Sequence, residues 1–315
     1  MSPVEVARPL PPSLWAATAE PAVDTPPLDT SVKTDVLIVG AGYTGLSSAL
    51  HLAGHGLTAC VIDANEPGWG ASGRNGGQVI PGLKYDPDEL IRRYGSRDGE
   101  ALVQIAGSAA DTVFDLIERH QIQCDATRNG WIQPAHSDKL LGTLHGRARQ
   151  WESRGAPVEL LDRTQVAKRL GTETFVGGWI DKRAGSVQPL SYARGLARAA
   201  KAAGVAIHGA TRAVALEQRP DGWRVRCAGG VVIDAKQVLL ATNGYTDALW
   251  PGLAQSVIAA NSFIVATRPL PVDIAATVLP GREVASDSRR LLLYFRKDAA
   301  GRLLMGGRGP FRDPR

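Results

Sequence analysis

A chain of 315 residues is long enough for about two domains, and its 44% apolar and 21% charged residues are ordinary for a globular protein. The net charge is +5, but the basic residues are scattered among acidic ones, which disfavours nucleic acid as a partner. Three widely separated cysteines, the lack of a signal-peptide pattern and the lack of a long apolar run predict a cytoplasmic protein without a transmembrane segment.

The N-terminal region precedes a strand–helix–strand pattern. Residues 1–33 hold seven of the 20 prolines and predict an extended arm, with Trp15 as its anchor. The apolar run 36–39 predicts a buried strand, and apolar residues at helical spacing predict a helix over 46–53. A second strand over 57–62 ends at Asp63.

The rest of the chain alternates helices with short strands. Helices are predicted over 99–121, 139–154 and 189–203. Strands are predicted over 205–208, 213–217, 223–228, 231–235, 238–241, 262–267, 291–296 and 302–306. The last three alternate as antiparallel strands do, so the fold class is α/β with an added antiparallel sheet.

A glycine-rich turn joins the first strand to its helix. It comprises Gly40, Ala41, Gly42, Tyr43, Thr44 and Gly45. Glycine permits the tight turn and the close approach of a pyrophosphate, which the helix N-terminus attracts, and Asp63 suits ribose hydroxyls. The pattern predicts a dinucleotide site; the alternative is a βαβ turn without a nucleotide. By itself it does not separate FAD from NAD.

A second glycine cluster follows Asp63 and Ala64. Its central residues are Gly70, Ala71, Ser72, Gly73, Arg74, Asn75, Gly76 and Gly77. Glycine exposes backbone N–H groups to a ligand, Ser72 can bind phosphate oxygens, and Arg74 can lie beside pyrophosphate or flavin. This cluster favours FAD over NAD; the alternative is a flexible surface loop.

These two runs, GAGYTGLSSALHL and GWGASGRNGGQ, resemble FAD-dependent oxidoreductases of the D-amino-acid oxidase (DAO) type. The likeness is greatest to bacterial γ-glutamylputrescine oxidases and extends through VLLATNGYTD and LYFRKD to GRLLMGGRG. The resemblance implies a Rossmann-like FAD-binding domain of the glutathione-reductase type, formed by residues 34–83 and 185–248. Residues 84–184 and 249–315 would form an α+β substrate domain whose antiparallel sheet covers the flavin.

The resemblance also implies further cofactor contacts. The backbone at Ala213 would contact adenine, and Thr242, Asn243 and Gly244 would close over the cofactor, although Asn243 is also a common turn residue. Relatives continue past GGRG into a third FAD segment. From the resemblance we expect that segment to be absent here, so that the chain is either a fragment or a poor binder of FAD.

The activity that the resemblance implies is oxidation of the C–N bond of an amine or amino acid. A hydride passes to flavin N5, the imine is hydrolysed, and O₂ reoxidises the flavin. The amine must be neutral, which at pH 7.4 costs about 4 kcal/mol for a pKa near 10.4, and burial recovers part of this. No strong base is required, and no catalytic residue is assigned.

Substrate contacts are predicted at three residues. Tyr294 and Arg296 lie on a strand that resembles one beside the flavin, and Arg296 could pair with a substrate carboxylate. The alternative for these two is a cross-strand surface pair. Trp131 is a candidate for lining the site, with core packing as the alternative.

Other functions remain as alternatives. His51 and His55 have ligand spacing but lack a third partner, so no metal is predicted. A dehydrogenase that passes electrons to a quinone, or a truncated, non-catalytic flavin-binding protein, would share the same motifs. The amine, the acceptor, any covalent flavin link and the oligomeric state are not predicted.

Overall fold

A computed structural model describes residues 7–258 and 260–309. The helices are α1 Leu14–Thr18, α2 Tyr43–Gly54, α3 Pro87–Arg119, α4 Asp138–Glu152, α5 Arg163–Leu170, α6 Pro189–Ala202 and α7 Val272–Ala275. The strands are β1 Val32–Val39, β2 Ala59–Ile62, β3 Gln78–Val79, β4 Trp131–Ala135, β5 Val158–Leu161, β6 Gly177–Asp181, β7 Gly185–Ser186, β8 Ala206–His208, β9 Ala213–Arg219, β10 Gly222–Cys227, β11 Val232–Leu240, β12 Ser262–Pro269, β13 Val284–Ser286, β14 Tyr294–Lys297 and β15 Arg302–Arg308.

The first sheet is a Rossmann-like sheet with strand order β8-β2-β1-β11-β10-β9. Strands β8, β2, β1 and β11 run parallel, and β10 and β9 continue the sheet antiparallel. Leu37 and Ile38 are both fully buried, so both faces of β1 are covered. This explains why its apolar run is continuous rather than alternating.

The second sheet has seven strands in the order β12-β15-β14-β13-β4-β6-β5. Its pairs are antiparallel except for β13 with β4. The first sheet takes its strands from residues 32–62 and 206–240, the second from 131–181 and 262–308. Each sheet therefore draws on two separated segments of the chain; the division into two domains stays a prediction.

Most predicted elements are present, with several differences. Residues 231–235 and 238–241 belong to one continuous strand, β11, and residues 291–293 lie outside β14. The elements that were not predicted are strands β3, β4, β5, β6, β7 and β13 and helices α1, α5 and α7. The helix predicted over 99–121 begins at Pro87 and is kinked at Gly95, whose φ is 80°.

The N-terminal arm lies along the α6 side of the first sheet and is not wholly extended, because it contains α1. The Ser13 side chain caps α1 by accepting a hydrogen bond from Ala16 N at 3.2 Å. Trp15 is 5% exposed and packs with Leu190 and Leu304, which confirms it as the anchor. In the part of the chain that the structure describes, no helix is long and apolar enough to cross a membrane.

Candidate functional site

The first glycine turn connects β1 to α2 and leaves no space for side chains. A Cβ added at Gly40 would lie 2.6 Å from Ala241 O, and Gly40 has a φ of 115°. A Cβ at Gly45 would lie 1.9 Å from Gly40 O. Both positions therefore require glycine, for backbone conformation and for close helix–strand packing.

The second glycine cluster meets the first turn at the N-terminus of α2. Tyr43 N donates to Ser72 Oγ at 3.0 Å, and a Cβ at Gly42 would lie 2.8 Å from the same oxygen. The N-cap residue Gly42 has no side chain that could cap the helix, and Thr44 is exposed in the first turn. Backbone N–H groups and a hydroxyl therefore converge where a phosphate would be attracted.

Asp63 lies at the carboxyl end of β2, beside the first turn. Its two carboxylate oxygens accept hydrogen bonds from Ala41 N at 2.8 Å and Asn65 N at 2.9 Å. Burial raises the pKa of Asp63 above its usual range, and these hydrogen bonds oppose the rise. Each oxygen keeps a lone pair, so the carboxylate can still accept from ribose hydroxyls.

The segment predicted to contact adenine is bonded to the residues around Asp63. Thr211 N donates to Asp63 O at 2.7 Å, and Ala210 N donates to Asn65 O at 3.1 Å. Ala213, at the start of β9, is 7% exposed, and Ala64 is half-buried. The ribose-binding and adenine-binding candidates are thus neighbours, which the sequence did not predict.

The second cluster is a tightly packed turn, unlike the alternative of a flexible surface loop. Asn75 Nδ2 donates to Ser72 O at 2.9 Å and Ala71 O at 3.2 Å, and its Oδ1 accepts from Gly77 N at 2.8 Å. A Cβ at Gly73 would lie 2.2 Å from Gly68 O. The side chain of Asn75 therefore replaces missing backbone contacts and fixes the turn.

Arg74 provides a test of whether this site suits FAD. Its Nε donates to Trp69 O at 2.8 Å, and its Cζ lies 4.2 Å from the Trp69 ring centroid. Its Nη2 is buried and has no hydrogen-bond partner in the described part of the chain. A buried donor of a cationic group without an acceptor fits an anionic ligand such as the FAD diphosphate.

The third predicted cofactor segment follows β11. Asn243 has a φ of 47°, which is the left-handed conformation expected of a turn residue, and Thr242 Oγ1 lies 2.7 Å from Thr246 Oγ1. A Cβ at Gly70 would lie 3.0 Å from the Tyr245 ring, whereas Gly244 has open space around it. The segment therefore borders the second cluster; its contact with the cofactor stays a prediction.

Strand β14 of the second sheet reaches the second cluster. A Cβ at Gly76 would lie 2.9 Å from Cε2 of Tyr294, so the Tyr294 ring covers this glycine. The Tyr294 hydroxyl lies 2.8 Å from Ser262 Oγ on β12. Tyr294 is thus placed beside the candidate cofactor turn, where a substrate contact stays a prediction.

Arg296 and Trp131 do not face open space. Arg296 is 2% exposed, which overturns the surface-pair alternative for this residue, and its fork is directed at backbone carbonyls. Burial lowers the pKa of Arg296 to about 10, so it stays charged at neutral pH. Trp131 lies in the core, 5.4 Å from the Trp179 ring, and donates to Ser286 Oγ at 2.7 Å. Trp131 is therefore located where core packing, the alternative to lining the site, would place it.

Two aromatic residues near the turns were not assigned from the sequence. Trp69 stacks on Arg74, and its ring lies 5.7 Å from that of Tyr245. Trp69 lies within GWGASGRNGGQ and Tyr245 within VLLATNGYTD, so their position inside these family-like runs was the available signal. The described residues include no group of three or more His, Cys, Asp or Glu side chains placed to hold a metal.

A surface cleft lies at the other end of the parallel strands of the first sheet, away from the glycine turns. It is lined by residues including Val32, Thr34, Ala59 and Val205, near the amino ends of the parallel strands. Ligands of open α/β sheets bind at the carboxyl ends, where the two glycine turns are. We therefore place the candidate cofactor site at the turns and not in this cleft.

Comparisons with known proteins identify the family of the chain. The chain is 35% identical to gamma-glutamylputrescine oxidoreductase of Escherichia coli (strain K12), over 94% of this chain and 69% of that protein. The fold is similar to that of glycine oxidase from Geobacillus kaustophilus, with a TM-score of 0.67 and 21% identity over 89% of this chain and 73% of the other. It is also similar to that of L-proline dehydrogenase from P. horikoshii, with a TM-score of 0.71 and 16% identity over 89% and 71% of the two chains. Residues 35–315 match the DAO family, described as FAD dependent oxidoreductase, and the chain therefore belongs to this family of FAD-dependent enzymes.

Proposed function

We propose that this chain forms part of an oxidase that uses FAD to oxidise the C–N bond of an amine similar to γ-glutamylputrescine. The observation that carries the proposal is the meeting of the two glycine turns at Ser72, with Tyr294 of the second sheet covering the second turn. The amine as substrate is inferred from the relative that is 35% identical over 94% of this chain.

The chain's own residues would bind and orient the cofactor. The amides at the start of α2, the Ser72 hydroxyl and the unpartnered Nη2 of Arg74 would hold the diphosphate, and Asp63 would hold a ribose. Bound FAD would accept the hydride that leaves the carbon beside the amine nitrogen, and O₂ would take up the two electrons as H₂O₂. Water would then hydrolyse the substrate imine to a carbonyl compound.

The electrostatics of the covered turn favour the neutral amine that hydride loss requires. Arg296 carries a buried positive charge in contact with Gly76 O, on the turn that Tyr294 covers. A like charge and burial both disfavour an ammonium ion nearby and lower the pKa of a bound amine. The proposed reaction therefore needs no dedicated carboxylate base.

The test is a spectroscopic titration of the purified, FAD-saturated protein without oxygen. γ-Glutamylputrescine should bleach the visible absorption of the oxidised flavin, and admitting air should restore it with formation of H₂O₂. Putrescine, glycine and L-proline serve as comparison substrates. A matched pair of variants separates the site from the fold: Gly42→Val should lose FAD, because its side chain meets Ser72 Oγ, whereas Gly54→Ala should retain it, because nothing lies within 4 Å.

Each other outcome has a definite meaning. Bleaching that air does not reverse but a quinone analogue does would replace the oxidase with a dehydrogenase. A yellow protein that no amine bleaches would overturn the catalytic proposal and favour a non-catalytic flavoprotein. A protein that does not bind added FAD would overturn the assignment of the site itself.

A further inference from the structure

A buried arginine joins the second sheet to the second glycine turn. Arg296 on β14 donates from Nε to Gly76 O at 2.8 Å and from Nη2 to Val187 O at 2.9 Å. Its Nη1 lies 3.4 Å from Ser186 Oγ. One guanidinium thus bridges the turn and the segment leading into α6, with three polar groups directed at its planar fork.

Within the described residues the guanidinium of Arg296 makes no direct ion pair, although Asp125 and Asp298 attract its charge at longer range. In residues 7–258 and 260–309 no carboxylate lies within ion-pair distance of its guanidinium. Instead the ring of Trp15 covers it, with Cζ 5.3 Å from the ring centroid. Trp15 is itself fixed by Gln188 Nε2, which donates to Trp15 O at 2.8 Å. A buried charge without a direct ion pair is unfavourable, so the hydrogen bonds, the cation–π contact and the more distant carboxylates must offset its desolvation.

The turn depends on the hydrogen bonds from Arg296 because the surrounding atoms leave its backbone little room for another conformation. Gly77 has a φ of 67°, and a Cβ there would lie 2.2 Å from Val187 O and 2.7 Å from Arg296 Nη2. Val187 N donates to Gly77 O at 2.7 Å, so a backbone hydrogen bond links the turn directly to the segment that Arg296 also contacts. Without the guanidinium, the carbonyls of Gly76 and Val187 would lose their charged donor.

We propose that Arg296 is a positioning residue that holds the turn formed by Asn75, Gly76 and Gly77 in the conformation that receives FAD, with Trp15 as its cover. The inference deepens the proposed function and rests on it for activity, but its main readout, FAD affinity, needs no amine. It assigns Arg296 to the cofactor turn and not to a substrate carboxylate.

Removing the guanidinium should weaken FAD binding through the turn. Losing two charge-assisted hydrogen bonds shifts the turn toward open conformations. The apparent Kd for FAD then rises, because a smaller fraction of the molecules has the turn in the conformation that binds FAD. We expect Arg296→Gln to raise the Kd for FAD about ten- to hundredfold. Arg296→Lys keeps the charge but cannot bridge both carbonyls, so its Kd should rise by an intermediate factor. Trp15→Leu should act in the same direction with a smaller factor.

The experiment titrates FAD into the full chain after the flavin has been removed, and follows flavin fluorescence. Arg268→Gln is the control, because Arg268 lies on β12 of the same sheet and is exposed. Hydrogen exchange at the amides of residues 75–77 should accelerate in the Arg296 variants and not in the control. A positioning role also predicts that the KM for the amine changes less than the Kd for FAD.

Two results would overturn the proposal. One is a folded Arg296→Gln variant whose Kd for FAD and exchange at 75–77 match those of Arg268→Gln. The other is an Arg296→Lys variant with normal FAD affinity and a raised KM only for amines that carry a carboxylate, which would restore the substrate contact. Should Arg296→Gln not fold, Arg296→Lys and Trp15→Leu decide, and an unchanged Kd in both rejects the inference. Loss of amine oxidation with the expected FAD effects would reject only the proposed substrate.

Discussion

Gly45 lies where helix α2 packs against the end of strand β1. A Cβ at Gly45 would lie 1.9 Å from Gly40 O and 3.1 Å from Ile38 Cγ2. The first contact is with backbone, so no side chain can rotate away, and the helix would have to move by roughly an ångström to reach van der Waals contact. Overpacking of this kind costs about 3 kcal/mol, near the upper end of the usual range. We therefore expect Gly45→Ala to lower the free energy of unfolding by about this amount.

The same displacement should weaken the cofactor site. Moving α2 away from β1 shifts its N-terminal amides relative to Ser72 and Asp63, so FAD affinity should fall at least about tenfold. At 2–4 °C per kcal/mol, thermal unfolding of the apoprotein should begin roughly 6–12 °C lower. Gly54→Ala in the same helix is the control, since nothing lies within 4 Å of its Cβ; it should stabilise by about 0.5–1 kcal/mol. If Gly45→Ala unfolds and binds FAD as Gly54→Ala does, the close packing inferred for this turn is wrong.

Three further predictions concern the turns and the buried thiols. Ser72→Ala removes the acceptor of Tyr43 N and should weaken FAD binding about tenfold, whereas Ser108→Ala on the exposed face of α3 should not; equal affinities would contradict a role for the hydroxyl. Because burial raises the pKa of Asp63, FAD affinity should fall as the pH is lowered from about 7 toward about 4, without unfolding, since a raised pKa favours the protonated folded state at low pH. Asp63→Asn should bind FAD more weakly and without this pH dependence, as isothermal titration at several pH values would measure. Burial raises the pKa of the thiols to about 12 for Cys60 and Cys124 and about 11 for Cys227, so none should react with a thiol reagent at pH about 8 until the protein is denatured.

The parts of the fold that were predictable are those whose signals are local. The continuous apolar run of β1 predicts a strand with both faces covered, and Leu37 and Ile38 are indeed fully buried. The first glycine turn is predictable for the same reason, because Gly45 meets Gly40 and Ile38 nearby in the chain and Gly40 has a φ of 115°. Trp15 stood out as a large apolar residue in a proline-rich arm, and it is the anchor.

One strand prediction was wrong where a polar side chain pairs with a residue that is distant in the chain. Strand β11 was divided in two because Lys236 and Gln237 interrupt its apolar pattern. In the structure Lys236 Nζ pairs with Asp35 Oδ1 at 2.7 Å, and Gln237 aligns with Val36 of β1. The strand continues through this point because its neighbour β1 supplies the partner. Strands β4 and β6 were missed because Pro134 and Gly178, both weak strand formers, lie within them.

Arg296 shows the same limit at the candidate site. Tyr294 and Arg296 are two residues apart on β14 and so share one face of the strand. Two polar side chains on one face are typical of an exposed sheet face, which favours either a surface pair or a substrate contact. The buried guanidinium of Arg296 donates to the backbone carbonyls of Gly76 and Val187, which lie 220 and 109 residues away along the chain. Carbonyl groups are present at every residue and leave no trace in sequence, so a side chain that binds them cannot be distinguished from one that binds a ligand. The glycines 76 and 77 are the only local sign of that approach, because a Cβ at either position would meet a residue of β14. A glycine pair that its own turn does not fully explain is therefore a reason to search the opposite domain for the group that occupies the space.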